Sequence, residues 1–452
     1  MKKNLIFFIV VSCLIHAQVQ ASSYYVINGN NNTMSIGSAN TITGIVTDTA
    51  HTLNGSVDVA VMPNGSTAYV TNAVNNTISI INVGTNTVTG LVIDLVPATL
   101  NVPVFMAITP DGTKAYVANA GNNTVSIINI ATNSVTGVVT DLVPATFNGV
   151  NYIAITPDGT KAYVTNSGNN TISIINVATN TVTGLVTDLI PATFDGVAYI
   201  AITPNGTQAY VTNKLNNTVS IINVATNTVT GLVTDLVPAT FNSPNFIIVT
   251  PDGTQAYVTN TANNTVSVIN VATNAVTRLV TDLIPPTFNV IEFIAVTPDS
   301  STAYVTNDGN NTISIINVAT NTVTGLVSDP GATLNGPFFI AIIPQVQPVG
   351  PVANNGSAST KLNKSVLVTL TATNPTGNLL AFGIVTPPSL GTLGAITQPT
   401  SGGTTQQATL LYTPNQCVHG SDSFTFLVVD TVTGAVSNIA TVSITIICTC
   451  CF

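Results

Sequence analysis

The chain has 452 residues, of which 45% are hydrophobic and only 6% charged, so it buries a substantial core and is not intrinsically disordered. Its net charge of −9 and its eight basic residues disfavour nucleic-acid phosphate as a partner.

Residues 1–21 read as a secretory signal peptide. Met1-Lys2-Lys3-Asn4 is a basic start, Leu5 to Ile15 is an apolar core too short to cross a bilayer, and Val19-Gln20-Ala21 offers small residues for cleavage ahead of Ser22. A competing reading takes Val10-Val11-Ser12-Cys13 as a lipobox and leaves a lipid anchor on Cys13. No later segment has the length and hydropathy of a membrane helix. With Lys2 and Lys3 removed, 6 basic residues face 17 acidic ones, a net charge of −11. Export is expected, to the cell surface, the medium or the periplasm.

From residue 22 to 344 a 47-residue unit recurs, marked by Tyr69, Tyr116, Tyr163, Tyr210, Tyr257 and Tyr304, with Tyr25 opening a shorter first copy. Each unit holds four short β-branched runs. Turn residues separate them: Pro-Asp-Gly, then Asn-Ser-Gly-Asn-Asn or its equivalents, then Ala-Thr-Asn. That pattern predicts a four-stranded antiparallel meander, and its period predicts a propeller blade. The first copy lacks its innermost strand, and Phe338-Phe339-Ile340-Ala341-Ile342-Ile343 supplies one after the last copy. The two ends therefore complete one shared blade, which closes a ring of seven and leaves no sheet edge open.

The recurring Ala-Tyr-Val-Thr-Asn (162–166, 209–213, 256–260 and 303–307), with Thr-Pro-Asp-Gly-Thr before several copies, resembles the YVTN β-propeller family over residues 24 to 343. The resemblance implies the fold and an exported or surface-layer setting. The wider seven-bladed group includes both binding scaffolds and lactonases, and a lactonase-like member would be expected to use a cation and convergent carboxylates near the axis.

Comparing the copies with one another separates two ends of the blade. The Thr-Pro-Asp-Gly and Ala-Thr-Asn turns are nearly constant, whereas Ser167-Gly168, Lys214-Leu215, Asp308-Gly309, Val150-Asn151, Pro244-Asn245, Ile291-Glu292 and their counterparts differ from copy to copy. Turns alternate ends along a meander, so the variable sites share one face, the expected binding surface. Its candidate residues are Asp58, Tyr152, Asp195, Tyr199, Lys214, Asn245, Glu292 and Asp308. Two rings follow from the period. Asp48, Asp94, Asp141, Asp188, Asp235, Asp282 and Asp329 read as turn caps, with cation attraction as the alternative. Phe105, Tyr152, Tyr199, Phe246, Phe293 and Phe339 are expected ahead of the inner strands and packed between blades, with Asp58 as the polar exception near the axis.

After the linker 345–351, residues 352–447 resemble a bacterial Ig-like or cadherin-like β-sandwich on the strength of Pro351-Val352-Ala353-Asn354, Leu411-Tyr412-Thr413-Pro414-Asn415 and Gly420-Ser421-Asp422-Ser423-Phe424-Thr425-Phe426. Thr373-Asn374-Pro375-Thr376-Gly377-Asn378 stands where such modules carry acidic calcium loops, and it offers no carboxylate. The tail 448–452 is cysteine-rich. A two-residue turn at Thr433-Gly434 would set facing positions that place Cys417 beside it, predicting a disulfide from Cys417 to Cys450 or Cys448, with the two leftover cysteines, Cys451 among them, to pair together or bridge to another molecule.

The propeller holds one histidine, His51, and one glutamate, Glu292, and no His/Cys/carboxylate cluster has metal-ligand spacing. The inventory calls for no cofactor and no metal. The leading expectation is an all-β protein, a seven-bladed β-propeller with a C-terminal Ig-like β-sandwich, that presents one propeller face to a protein or glycan. The alternatives are a lactonase-like hydrolase using the axial pocket and a self-associating envelope protein.

Overall fold

A computed structural model describes residues 22–344, 351–374, 377–432 and 434–448. The expected signal peptide, the lipobox cysteine, most of the linker, and Cys450 and Cys451 lie outside the described residues. The chain divides into two compact units, Met1–Gln345 and Val346–Phe452.

The first unit is all-β and contains seven four-stranded antiparallel sheets. Blade 1 joins Ser23–Asn28, Thr33–Ser38 and Thr41–Ile45 to Pro337–Ile342, the last strand of the ring. Tyr24 faces Ile342 and Ile27 faces Phe339, so the two ends do complete one blade. Blades 2 to 7 span residues 56–91, 103–138, 150–185, 197–232, 244–279 and 291–326. Parallel bridges such as Thr140 to Thr181 link neighbouring outer edges, and Thr41 to Ser328 makes the same link across the closure.

The Tyr-Val-Thr-Asn repeat is absorbed by construction, as blade 4 shows. Tyr163 is fully buried, and its hydroxyl donates to Asn227 Oδ1 of blade 5 at 2.6 Å. Asn227 has φ 55, the left-handed turn conformation that asparagine tolerates, so one residue both reverses the chain and receives the neighbouring blade. Val164 packs in the core. Thr165 accepts the Tyr152 N–H at 3.0 Å and donates to the Ala198 carbonyl of the next blade at 3.1 Å. Asn166 donates to Thr171 Oγ1 and Ser173 Oγ at 3.2 and 2.9 Å, tying the second strand to the third. Each hydrogen bond between neutral partners adds about 1 kcal/mol, and the larger cost comes from leaving a buried partner unmade. Repetition of these residues is therefore what ring closure demands.

The aspartate ring caps its own loops. Asp188 accepts the N–H groups of Leu189, Thr193 and Phe194 at 2.7, 2.8 and 2.9 Å and the Thr193 hydroxyl. Burial works against ionisation there, yet these donors hold the carboxyl below its ordinary value.

In the second unit, one sheet orders Val352–Asn354, Val366–Thr373, Thr405–Pro414 and Gly391–Leu393. The other orders Gly356–Lys361, Ala440–Ile447, Gly420–Asp430 and Leu380–Thr386. Inward residues of both sheets, among them Leu370, Leu410, Phe426 and Val442, form one cluster. The expected calcium-loop region does meet a carboxylate, from Asp430, but amide groups of Asn374 and Asn378 donate to it at 3.0 and 3.2 Å.

The register from which the cysteine pairing was expected is corrected, and the Cys450 alternative lies outside the described residues. Gly420 faces Ile446 and Phe426 faces Ala440, one position away from the register that a turn at 433–434 would set. A one-residue slip turns every side chain to the opposite face. Cys417 sits in a turn with φ 61, exposed, and no disulfide joins it to Cys448.

Candidate functional site

At the centre of the first unit the inner strands carry a two-layered axis. Every inner strand bulges near its start, for example between Val197 and Ile200, and this turns two successive side chains toward the axis. The first set, in blade order, is Phe338, Val57, Val104, Asn151, Ala198, Asn245 and Glu292. The second is Phe339, Asp58, Phe105, Tyr152, Tyr199, Phe246 and Phe293.

The second set corrects an expectation. These aromatics lie inside the inner strands and meet across the axis. Phe105 of blade 3 contacts Tyr199, Phe293 and Phe339 of blades 5, 7 and 1 at centroid distances of 5.4, 6.0 and 6.1 Å. They form a plug that closes the channel. Contact across the ring requires side chains from distant blades to converge, which no single repeat displays. Asp58 is sealed in this plug at 4% exposure, accepting the Met106 N–H at 2.8 Å. Burial pushes its carboxyl up to about 7 despite the opposing hydrogen bonds from Met106 and Val59. Asp58 is thus separated from the surface.

Above the plug, the first set divides into an apolar arc, Phe338, Val57 and Val104, and a polar arc running from Asn151 to Glu292. A cleft of about 300 Å³ opens on the polar arc, with Asn151, Ser167, Tyr199, Lys214, Leu215 and Asn245 among its walls. The motif threonines set this geometry: Thr212 donates to the Asn245 carbonyl at 2.6 Å and Thr259 to the Glu292 carbonyl at 3.1 Å. Lys214 and Leu215 stand on the variable turn of blade 5, pinned by their own N–H groups to the carbonyls of Gly196 and Asp195 at 3.0 and 3.2 Å. Gly196 has φ +66, a conformation that Val102, Ser243 and Val290 adopt at the equivalent position of other blades, and a Cβ there would come within 2.6 Å of the Leu215 side chain.

Asn245 Nδ2 donates to Glu292 Oε2 at 3.4 Å. Burial raises the Glu292 carboxyl above its ordinary range, the Lys214 ammonium pulls it down, and Asp308 pushes it up again. Asp308 begins the short 3-10 turn Asp308–Asn310 of blade 7. Tyr199 links the layers, its hydroxyl pKa raised first by burial and then by Tyr152, Glu292 and Asp58.

The structure therefore brings together Tyr199, Lys214, Asn245 and Glu292, with Asp308 in electrostatic reach. Asp58 and Tyr152 belong to the plug, and Asp195 contributes its backbone. Asn151, Ser167 and Leu215 are cleft residues not singled out from sequence, although all three stand at positions that differ between copies. A larger cleft of about 640 Å³ surrounds His51 between blades 1 and 2, but its carboxylate, Asp48, is engaged by Thr52 and the Leu53 N–H. The carboxylates do not converge as a lactonase cation site would need: among the described residues no three His, Cys, Asp or Glu side chains are placed to hold a metal ion.

No curated protein matches the sequence. Among solved structures, a functionally unknown protein from Desulfotomaculum acetoxidans is similar at 19% identity and TM-score 0.55, over 71% of this chain and 98% of its own. Putative 6-phosphogluconolactonases from Bacteroides fragilis and Bacteroides uniformis are similar at 16% and 13% identity. Their TM-scores are 0.52 and 0.55, over 72% of this chain and 99% and 100% of theirs. At such identities the likeness carries the fold alone. The family model for Lactonase, 7-bladed beta-propeller, matches residues 17–151 and 149–293, more than half of the chain. The chain belongs to the lactonase family of seven-bladed β-propellers.

Proposed function

We propose that this protein hydrolyses a small cyclic ester at the mouth of the propeller axis. The observation that carries the reading is Glu292, the only glutamate of the chain, half-buried, held by Asn245 and lying in the field of Lys214 beside a cleft of small-molecule size. Membership of the lactonase family supports it and displaces surface binding as the first choice. In this reaction the Glu292 carboxylate takes a proton from water as the water oxygen attacks the ester carbonyl. The Lys214 ammonium stabilises the oxyanion that forms. The ring C–O bond then breaks, and Glu292 returns its proton to the leaving alkoxide.

The test is Glu292→Gln, which keeps the shape and the contact with Asn245. Lactone hydrolysis by the mature chain is expected to fall by about 10²-fold or more with an unchanged unfolding midpoint. Because the Glu292 carboxyl lies above its ordinary range, the base is lost as pH falls through that raised value, so activity declines at a higher pH than a free glutamate would give. A Gln variant with wild-type turnover overturns the assignment.

A second reading, presentation of the propeller face to a protein or glycan partner, is favoured by one observation. Val96, Val143, Ile190, Val237 and Ile284 stand at equivalent loop tips, each at least 98% exposed. The YVTN-type subgroup, export of the mature chain and an Ig-like C-terminal module acting as spacer or anchor complete the proposed setting.

A further inference from the structure

Resting on the hydrolase reading, we infer that the cleft accepts an uncharged lactone bearing an aliphatic chain, and rejects phosphorylated sugar lactones. A phosphate monoester carries a charge of about −1.5 to −2, and its recognition draws on arginine, lysine or the N–H groups of a helix N-terminus. The propeller has four basic residues, Lys114, Lys161, Lys214 and Arg278. Three are committed elsewhere. Lys114 Nζ donates to the Val177 carbonyl at 3.1 Å, Lys161 Nζ to the Val224 carbonyl at 2.8 Å, and Arg278 Nη1 to the Thr320 carbonyl at 3.3 Å. Lys114 and Lys161 do so at the constant end of the blades, away from the cleft.

Lys214 is the one cation of the propeller at the mouth, and its charge is already set against Glu292 and Asp308. A dianion entering there meets two carboxylates and one ammonium, a balance that repels it. The described propeller also has no helix beyond the three-residue turn at Asp308–Asn310, so no helix N-terminus replaces the missing cations.

The cleft offers instead apolar surface, from Val197, Ala198 and Leu215. Leu215 is 72% exposed at the cleft wall, where the other blades place Asn30, Val74, Gly121, Gly168, Ala262 and Gly309. Phe338, Val57 and Val104 line the opposite arc of the mouth, each partly exposed. Amides of Asn151 and Asn245 and the Lys214 ammonium suit an ester group, and Leu215 suits a hydrocarbon chain, whose methylenes gain by leaving water.

The experiment compares δ-decanolactone, glucono-δ-lactone and 6-phosphoglucono-δ-lactone with the mature chain by pH-stat. Binding of δ-decanolactone and of 6-phosphogluconate is read separately by saturation-transfer NMR. The expected result is opening of δ-decanolactone at least about tenfold faster than of the phosphorylated lactone, with that preference lost in Leu215→Asn. Equal or faster opening of the phosphorylated lactone overturns the inference and leaves the hydrolase reading standing. If no lactone is opened, the hydrolase reading falls and binding decides the ligand class. Saturation of the decanolactone alkyl protons that disappears in Leu215→Asn sustains the class. Saturation of 6-phosphogluconate alone, or of neither compound, overturns it.

Discussion

The two ends of each blade are built from the same four strands yet differ in what their residues are free to do. At the constant end, the Ala-Thr-Asn turn supplies Asn227 to Tyr163, and the Pro-Asp-Gly turn supplies Asp158 to the Thr156 hydroxyl and the Thr160 N–H. Every polar group quoted there already has a partner, often in the next blade. At the variable end, the asparagine of Tyr-Val-Thr-Asn and the loop aspartate hold the backbone, and the side chains of Ser167, Lys214, Leu215 and Glu292 are left to differ. Constancy among internal copies therefore marks residues consumed by ring closure, and a candidate site is to be sought where the copies disagree.

The largest effect that would break this comparison is Tyr163→Ala. It deletes a fully buried ring and the latch to Asn227, so chemical denaturation should show a loss of about 3–5 kcal/mol. A loss comparable to that of an exposed residue would mean the constant end is not structural. Next comes Thr212→Val, which strands the Tyr199 N–H and the Asn245 carbonyl for an expected cost of about 1–3 kcal/mol. Blades 1 and 3 carry Ile27 and Ala118 at the same position, so this variant measures what losing the hydroxyl costs.

Asp58 sharpens the contrast through pH. Its folded carboxyl titrates at about 7 against an ordinary 3.8, so the fold favours the protonated form. Its contribution to stability is fully present below 3.8 and is lost as pH rises to about 7. In Asp58→Asn that part of the pH dependence should vanish from denaturant midpoints taken across the interval, and an unchanged slope would remove Asp58 from the account. The smallest effect is expected for Ile190→Ser at a loop tip, within about 0.5 kcal/mol in stability. If sedimentation velocity shows assembly of the wild type that this variant weakens, the exposed tips are an interface and the surface-binding reading gains.

Much of the candidate site was legible once the copies were compared. Lys214, Asn245 and Glu292 stood out as departures from the repeat and Tyr199 as a member of the aromatic ring, and the structure gathers the four around one mouth. Asp58 stood out by the same rule and failed as a surface group, because exposure is not a property of sequence position. Its neighbours in the ring turn inward and cover it. The register behind the cysteine pairing failed for a related reason, since Gly420 faces Ile446 one position from where the turn signature puts it, and no turn signature records a shift of one residue.

The sequence by itself determined the seven sheets, the shared closing blade, the capping role of the aspartates and which end of the blades varies. Each of those follows from local turn chemistry, strand periodicity and the repeat length. Only the tertiary structure decided that the aromatics plug the axis, that Asp58 is buried among them, and that Lys214, Asn245 and Glu292 from three blades share one mouth. Those outcomes depend on distances across the ring between residues far apart in the chain, set by ring closure and by the bulge of each inner strand.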